Sequence, residues 1–207
     1  MGKSKQELKS GRPVIQPLFT YEQLNTITNF QRLWTHIANW TRAFTQSAVF
    51  DLPNLNAVSD KLKSLPMDFY DIMKSFYGPE NTKTYIDLLS DYISSAVRTI
   101  EGIRDSDQIQ VNLNAAQWYG AADQIAQFLA SINVYWDEKQ WRSLLYQFIQ
   151  LMLTEIIAVL ESEFIHENEL WEIIEDLTFN IGSYMARGII AMNQYQFEYQ
   201  DRQSTFN

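Results

Sequence analysis

No cysteine occurs in this 207-residue chain, which excludes disulfide frameworks, zinc knuckles, thiolate clusters and cysteine nucleophiles while leaving the redox compartment open. Glycine and proline are also scarce, at seven and five residues. That scarcity argues against a β-sandwich, which needs a turn about every ten residues, and against glycine-rich phosphate loops. There is no serine nucleophile elbow, no Walker or dinucleotide glycine motif, and no alternating acidic loop with a central glycine of the EF-hand type. Histidine is limited to His36 and His166. Long apolar runs are missing as well. The most apolar window, Leu144 to Leu160, is interrupted by Gln147, Gln150, Thr154 and Glu155, short of the roughly 20 apolar residues of a membrane span, so a core helix is expected there. The opening MGKSKQELKSGRPVIQPLF has no apolar h-region, and Gly2 lacks the Ser or Thr context of a myristoylation signal. A cytoplasmic protein is the expectation.

What is present is apolar content at helical spacing. Hydrophobic residues make up 46% of the chain and aromatics 14%, enough to close one domain's core at this length. The formal charge of -9 is uneven. Residues 1–20 carry Lys3, Lys5, Lys9 and Arg12 against Glu7, a net +3, which leaves -12 on the rest. A body of that sign lacks the basic face that phosphate contacts require, so no nucleic-acid partner is expected.

Periodicity predicts an all-α, single-domain antiparallel bundle of about five long helices plus a short-helix connector. A basic arm covers 1–20, the bundle 21–192, and a polar and aromatic tail 193–207. The first helix spans Tyr21 to about Phe50, with Phe30, Trp34, Ile37, Thr41 and Phe44 on one stripe. Asp51 and Pro53 read as a cap and first-turn proline, and Pro66 with Gly78-Pro79 divides 53–77 into two short helices. A second stripe, Tyr85 to Ile103, is ended by Gly102 and the polar RDSDQ. The third helix closes near Ile132. Asp137 with Gln140 starts the fourth, Trp141 to about Phe164, whose apolar residues go nearly all round and place it centrally. The fifth presents Leu170, Ile174, Leu177, Ile181 and Met185, with Gly182 and Ala186 allowing a neighbouring helix to approach closely. No internal repeat is found.

Few residues offer chemistry. His36 has Arg32, Leu33, Asn39 and Trp40 as helical neighbours, so it stands at the edge of its stripe, either as a boundary histidine or as a ligand. Glu155, inside LMLTEIIAVL, directs a carboxylate into apolar surroundings where it must find a partner, such as Arg42, Tyr92 or Tyr119, or shift its pKa upward. Asp123 could converge on a site with it or belong to a solvated face. Glu163 and His166 match the Glu-x-x-His spacing of di-iron bundles, but in a single copy. The run Glu161 to Asp176 holds seven carboxylates and no lysine or arginine, read as helix-start acids and a solvated face.

The segments LWTHIANWTR, FYG, QWYGAADQIAQFLASINVYW and MARGII resemble a little-characterised family of helical proteins from Gram-positive bacteria, over about Leu33 to Ile190. Members have carried the label acetylglutamate kinase, an activity that needs an αβα sandwich and glycine-rich loops and is rejected here. The resemblance implies histidines on the inner faces of the middle helices and a polyhistidine metal site including His36. This chain has Tyr92 and Phe148 where two of them would align.

The leading functional expectation is a non-enzymatic, self-associating helical protein, an assembly or interaction module forming homo-oligomers through its terminal segments, with Arg12, Phe197 and Tyr199 as anchors. The rival is a metal- or cofactor-binding bundle using His36, Asp123 and Glu155 with a divalent metal and oxidoreductase activity.

Overall fold

Thr20 starts the first helix. Its hydroxyl accepts from the Gln23 amide while its own N–H donates to the Gln23 side chain, a reciprocal capping box. The computed structural model describes residues 19–204, with side chains through Gln194. The helices are α1 (Tyr21–Val49), α2 (Leu55–Ser64), α3 (Tyr70–Arg104), α4 (Gln108–Ile132), α5 (Glu138–Leu160) and α6 (Phe164–Ser204), with a 3₁₀ turn at Leu65–Phe69. Five are long, no strand occurs among the described residues, and the architecture is the expected all-α helical bundle.

Contacts between distant residues fix the directions. Along α1 and α6, Gln31 meets Ser183, Thr35 meets Thr178, Arg42 meets Glu167 and Phe50 meets Phe164, an antiparallel ladder. Arg98 bonds Gln117 across α3 and α4, and Arg142 bonds Asp123 across α5 and α4. The core joins Trp34, Phe69, Leu89, Tyr92, Trp118, Phe148, Met152 and Ile181, all essentially inaccessible. Such closure follows from stripes at three- and four-residue spacing that find one another only when neighbouring helices pack side by side. α5 alone among the described residues has the length and apolarity of a membrane span; here half of that window is buried, against α1, α4 and α6.

Three turns stand at the end of the bundle where α1 finishes and α6 begins, and they share one geometry. Asp51, Ser106 and Ser162 have φ of 50°, 56° and 59°. In each, the following N–H reaches back five residues, Leu52 to Ser47, Asp107 to Gly102 and Glu163 to Ala158, at 2.8–2.9 Å. These are Schellman closures built on Asp and Ser rather than glycine.

These closures and other local features set where the helices begin and end. Asp51 closes α1 instead of capping α2, whose N-cap position is Asn54. Gly102 lies inside α3 and serves a close approach: a Cβ there would sit 3.2 Å from Val111. α5 stops at Leu160 rather than Phe164 because Ser162 turns the chain. The expected break at Gly78-Pro79 is present as a kink within α3, where Gly78 leaves helical geometry with φ 74° and ψ 173°, a region only glycine occupies comfortably. α6 continues past 192 to Ser204, since no glycine or proline interrupts a helix already nucleated upstream. Gly182 does admit close contact, with α1: a Cβ would meet the Gln31 backbone at 2.5 Å.

Candidate functional site

The structure separates the three residues expected to share a metal. His36 is half-buried on α1; burial and Arg32 lower its pKa, while Asp68 across from it raises it. Asp123 on α4 accepts from Arg142 Nε at 2.6 Å and from the Tyr146 hydroxyl at 2.9 Å. Glu155 on α5 faces α1 and α6. Among the described residues no group of three or more His, Asp and Glu side chains could hold a metal ion. The trio is therefore not one site, because each residue sits on a helix face with a different neighbour. His166 is exposed, its Nδ1 3.7 Å from Glu169, so Glu163 and His166 form no ligand pair with a second set. Arg12 lies outside the described residues, as do the side chains of Phe197 and Tyr199.

Tyr92 and Phe148, where the resemblance aligns histidines, do meet in the core. Their ring centroids are 6.4 Å apart, and Tyr92 packs edge-on to Trp118 at 5.7 Å. Burial drives the Tyr92 hydroxyl pKa well up, and the hydroxyl donates to the Leu145 carbonyl at 3.4 Å. An aromatic cluster occupies this part of the core. Comparison with protein-family models, curated proteins and solved structures gives no match.

The chemically distinctive cluster is Glu155, Glu167 and Arg42. Glu155 has 0% exposure and Glu167 3%. Arg42 reaches from α1 to donate through Nε to Glu167 at 2.6 Å and through Nη2 to the Asn168 side chain at 3.0 Å, its guanidinium 4.6 Å from the centre of the Trp171 ring. Glu167 also lies in the first turn of α6, where helix-start N–H groups favour negative charge.

Arg42 Nε is 4.0 Å from Glu155, the outer limit of an ion pair, and Nε and Nη2 donate instead to Glu167 and Asn168. As a bare carboxylate, Glu155 leaves both of its buried oxygens without a hydrogen-bond donor. Burial first, then the Glu167 charge, pushes its pKa up to about 8, against the lesser pull of Arg42. Protonation gives Glu155 a partner: a carboxylic acid carries an O–H that can donate to Glu167, whereas two carboxylates offer only acceptors. Desolvation thus outweighs the distant guanidinium, and the trio is an acid, a carboxylate and a cation.

This arrangement holds a proton in a closed interior; with Glu155 fully buried, a substrate does not reach it in this conformation. The burial of Glu155 and the candidate partner Arg42 were legible from sequence. Glu167 was expected as a helix-start acid, which it is, but its burial beside Arg42 was missed. Its signal was local: Leu170 and Trp171, three and four residues on, put it on the packed face of α6.

Proposed function

We propose that the protein is a non-enzymatic assembly module in which the basic arm of one copy engages the acidic, apolar α5–α6 corner of another. The observation that carries this reading is the corner itself. Phe164 and Ile165 are 51% and 82% exposed, beside exposed Phe50 and Leu160. They border an open groove of about 550 Å³ also lined by Glu163, His166 and Glu169. Scattered exposed apolar residues need no explanation, but a cluster rimmed by one sign of charge suits a partner of the other sign. The occupant is Lys3, Lys5, Lys9 and Arg12 of a second copy, the chain's own concentration of positive charge.

Reach keeps the same chain's Arg12 and Lys9 from the corner, although Lys3 and Lys5, farther out on the arm, could extend about 61 and 54 Å, so only a neighbouring copy can bring all four charges there. α1 has 29 residues, a rise of about 43 Å, and it separates Thr20 from the corner. Arg12 stands eight residues before Thr20 and Lys9 eleven, spans of at most about 29 and 40 Å fully extended. Sedimentation velocity of the full chain beside residues 20–193 tests the proposal. The expected result is a full-chain oligomer at micromolar concentration that dissociates on trimming, with added salt, and in an Ile165→Lys variant, whose exposed position leaves folding intact. A monomeric full chain across that range overturns it.

A further inference from the structure

At the opposite end of the molecule two clefts of about 220 and 290 Å³ share Phe76, Ile189 and Asn193. The first is floored by Ile132 and Met192, and the second opens against the first turn of α1 beside Ile190. The shared wall makes one trough between the bent start of α3 and the late turns of α6, mainly apolar on the α1 side and more polar where Tyr77 and Asn81 line it. Its edges carry the amides of Asn81, Gln23 and Asn193 and one carboxylate, Glu22, groups that suit an extended peptide backbone.

We infer that the trough is the seat of this chain's own Val14–Leu18 segment, held in cis. The segment reads Val-Ile-Gln-Pro-Leu, the apolar portion of an otherwise basic arm. It joins α1 at Thr20, whose first turn forms one wall of the trough. Val14 is six residues from Thr20, a reach of at most about 21 Å, so the segment spans the trough but not the distant α5–α6 corner. Pro17 disfavours helix at Gln16 and lowers the entropy lost on laying the strand down. Seating Val14–Leu18 removes apolar surface from water on both sides and leaves Lys3 to Arg12 projecting. It rests on the same arm as the assembly reading but requires no second copy.

Because the chain lacks cysteine, disulfide trapping gives a clean test. Ile15→Cys is combined with Asn193→Cys in the trough, and in a control with Lys139→Cys, exposed near the same end on α5. Val14→Cys with Asn193→Cys covers a one-residue difference in register. Oxidation is followed at submicromolar full-length protein by non-reducing electrophoresis and peptide mass mapping, after circular dichroism confirms unchanged helicity. The expected result is an intramolecular disulfide in a trough pair about tenfold faster than in the control, since seating raises the local concentration beyond that of a tethered chain. Equal rates overturn the proposal. So does a predominance of covalent dimers, which would place the segment in a neighbour's trough. Sedimentation reads mass and trapping reads an internal contact, so each proposal can fail alone.

Discussion

Replacing Glu155 with Gln should make the protein less sensitive to alkali. In the folded chain the Glu155 pKa is about 8 against an ordinary 4.5, so between these values the native state holds a proton that the unfolded state has released. The unfolded state then binds fewer protons, and stability falls as pH rises, by about 1.4 kcal/mol per unit at the steepest. The contribution is fully present below about pH 4.5 and is lost by roughly 4 kcal/mol on reaching pH 8. Against a typical total of about 5–15 kcal/mol this is a large fraction. The amide of a Glu155→Gln variant keeps the shape, donates to Glu167 and does not titrate. Urea unfolding of both proteins at pH 5, 6, 7 and 8, followed by helical dichroism, should give near-equal stability at pH 5. The variant should be the more stable by about 2–4 kcal/mol at pH 8. His36 and the other titrating groups are common to both proteins, so the difference isolates Glu155. Parallel pH profiles would refute the buried acid. Parallel profiles over pH 5–8 with the wild type uniformly the more stable would instead show an ionised Glu155 paired with Arg42, whose pH dependence would lie below about pH 4.5.

Two glycine positions test the backbone argument in opposite directions. Ser106→Gly relieves a left-handed conformation and should stabilise by about 0.5–1 kcal/mol, the relief partly offset by greater freedom of the unfolded chain; a shift of the urea midpoint downward would count against it. Gly78→Ala has open space around the new Cβ, so any loss must come from backbone strain at φ 74°. About 1–3 kcal/mol is expected, and an unchanged melting temperature would show that the bend relaxes without consequence.

Sequence alone determined what repeats within a helix. The 3.6-residue period marks Trp34, Leu89, Trp118, Phe148 and Ile181 as interior positions, and all are buried. The Asp137 cap was readable because its carboxylate binds the Gln140 amide only three residues away. Glu155 was legible as a buried acid because its neighbours along the helix are apolar whatever the helix packs against. Tertiary structure decided what depends on residues far apart in the chain. Glu167 joins Arg42 across 125 positions; local spacing can place this acid on the packed face of α6 but cannot name the residue it meets there. The role of a glycine is equally non-local: Gly102 looked like a helix stop, yet its conformation is helical and its smallness serves Val111 on the next helix. The separation of His36, Asp123 and Glu155 has the same origin. Each one's helical face was visible in the sequence, but which faces meet is set by the antiparallel order of the helices, fixed when their stripes bury one another.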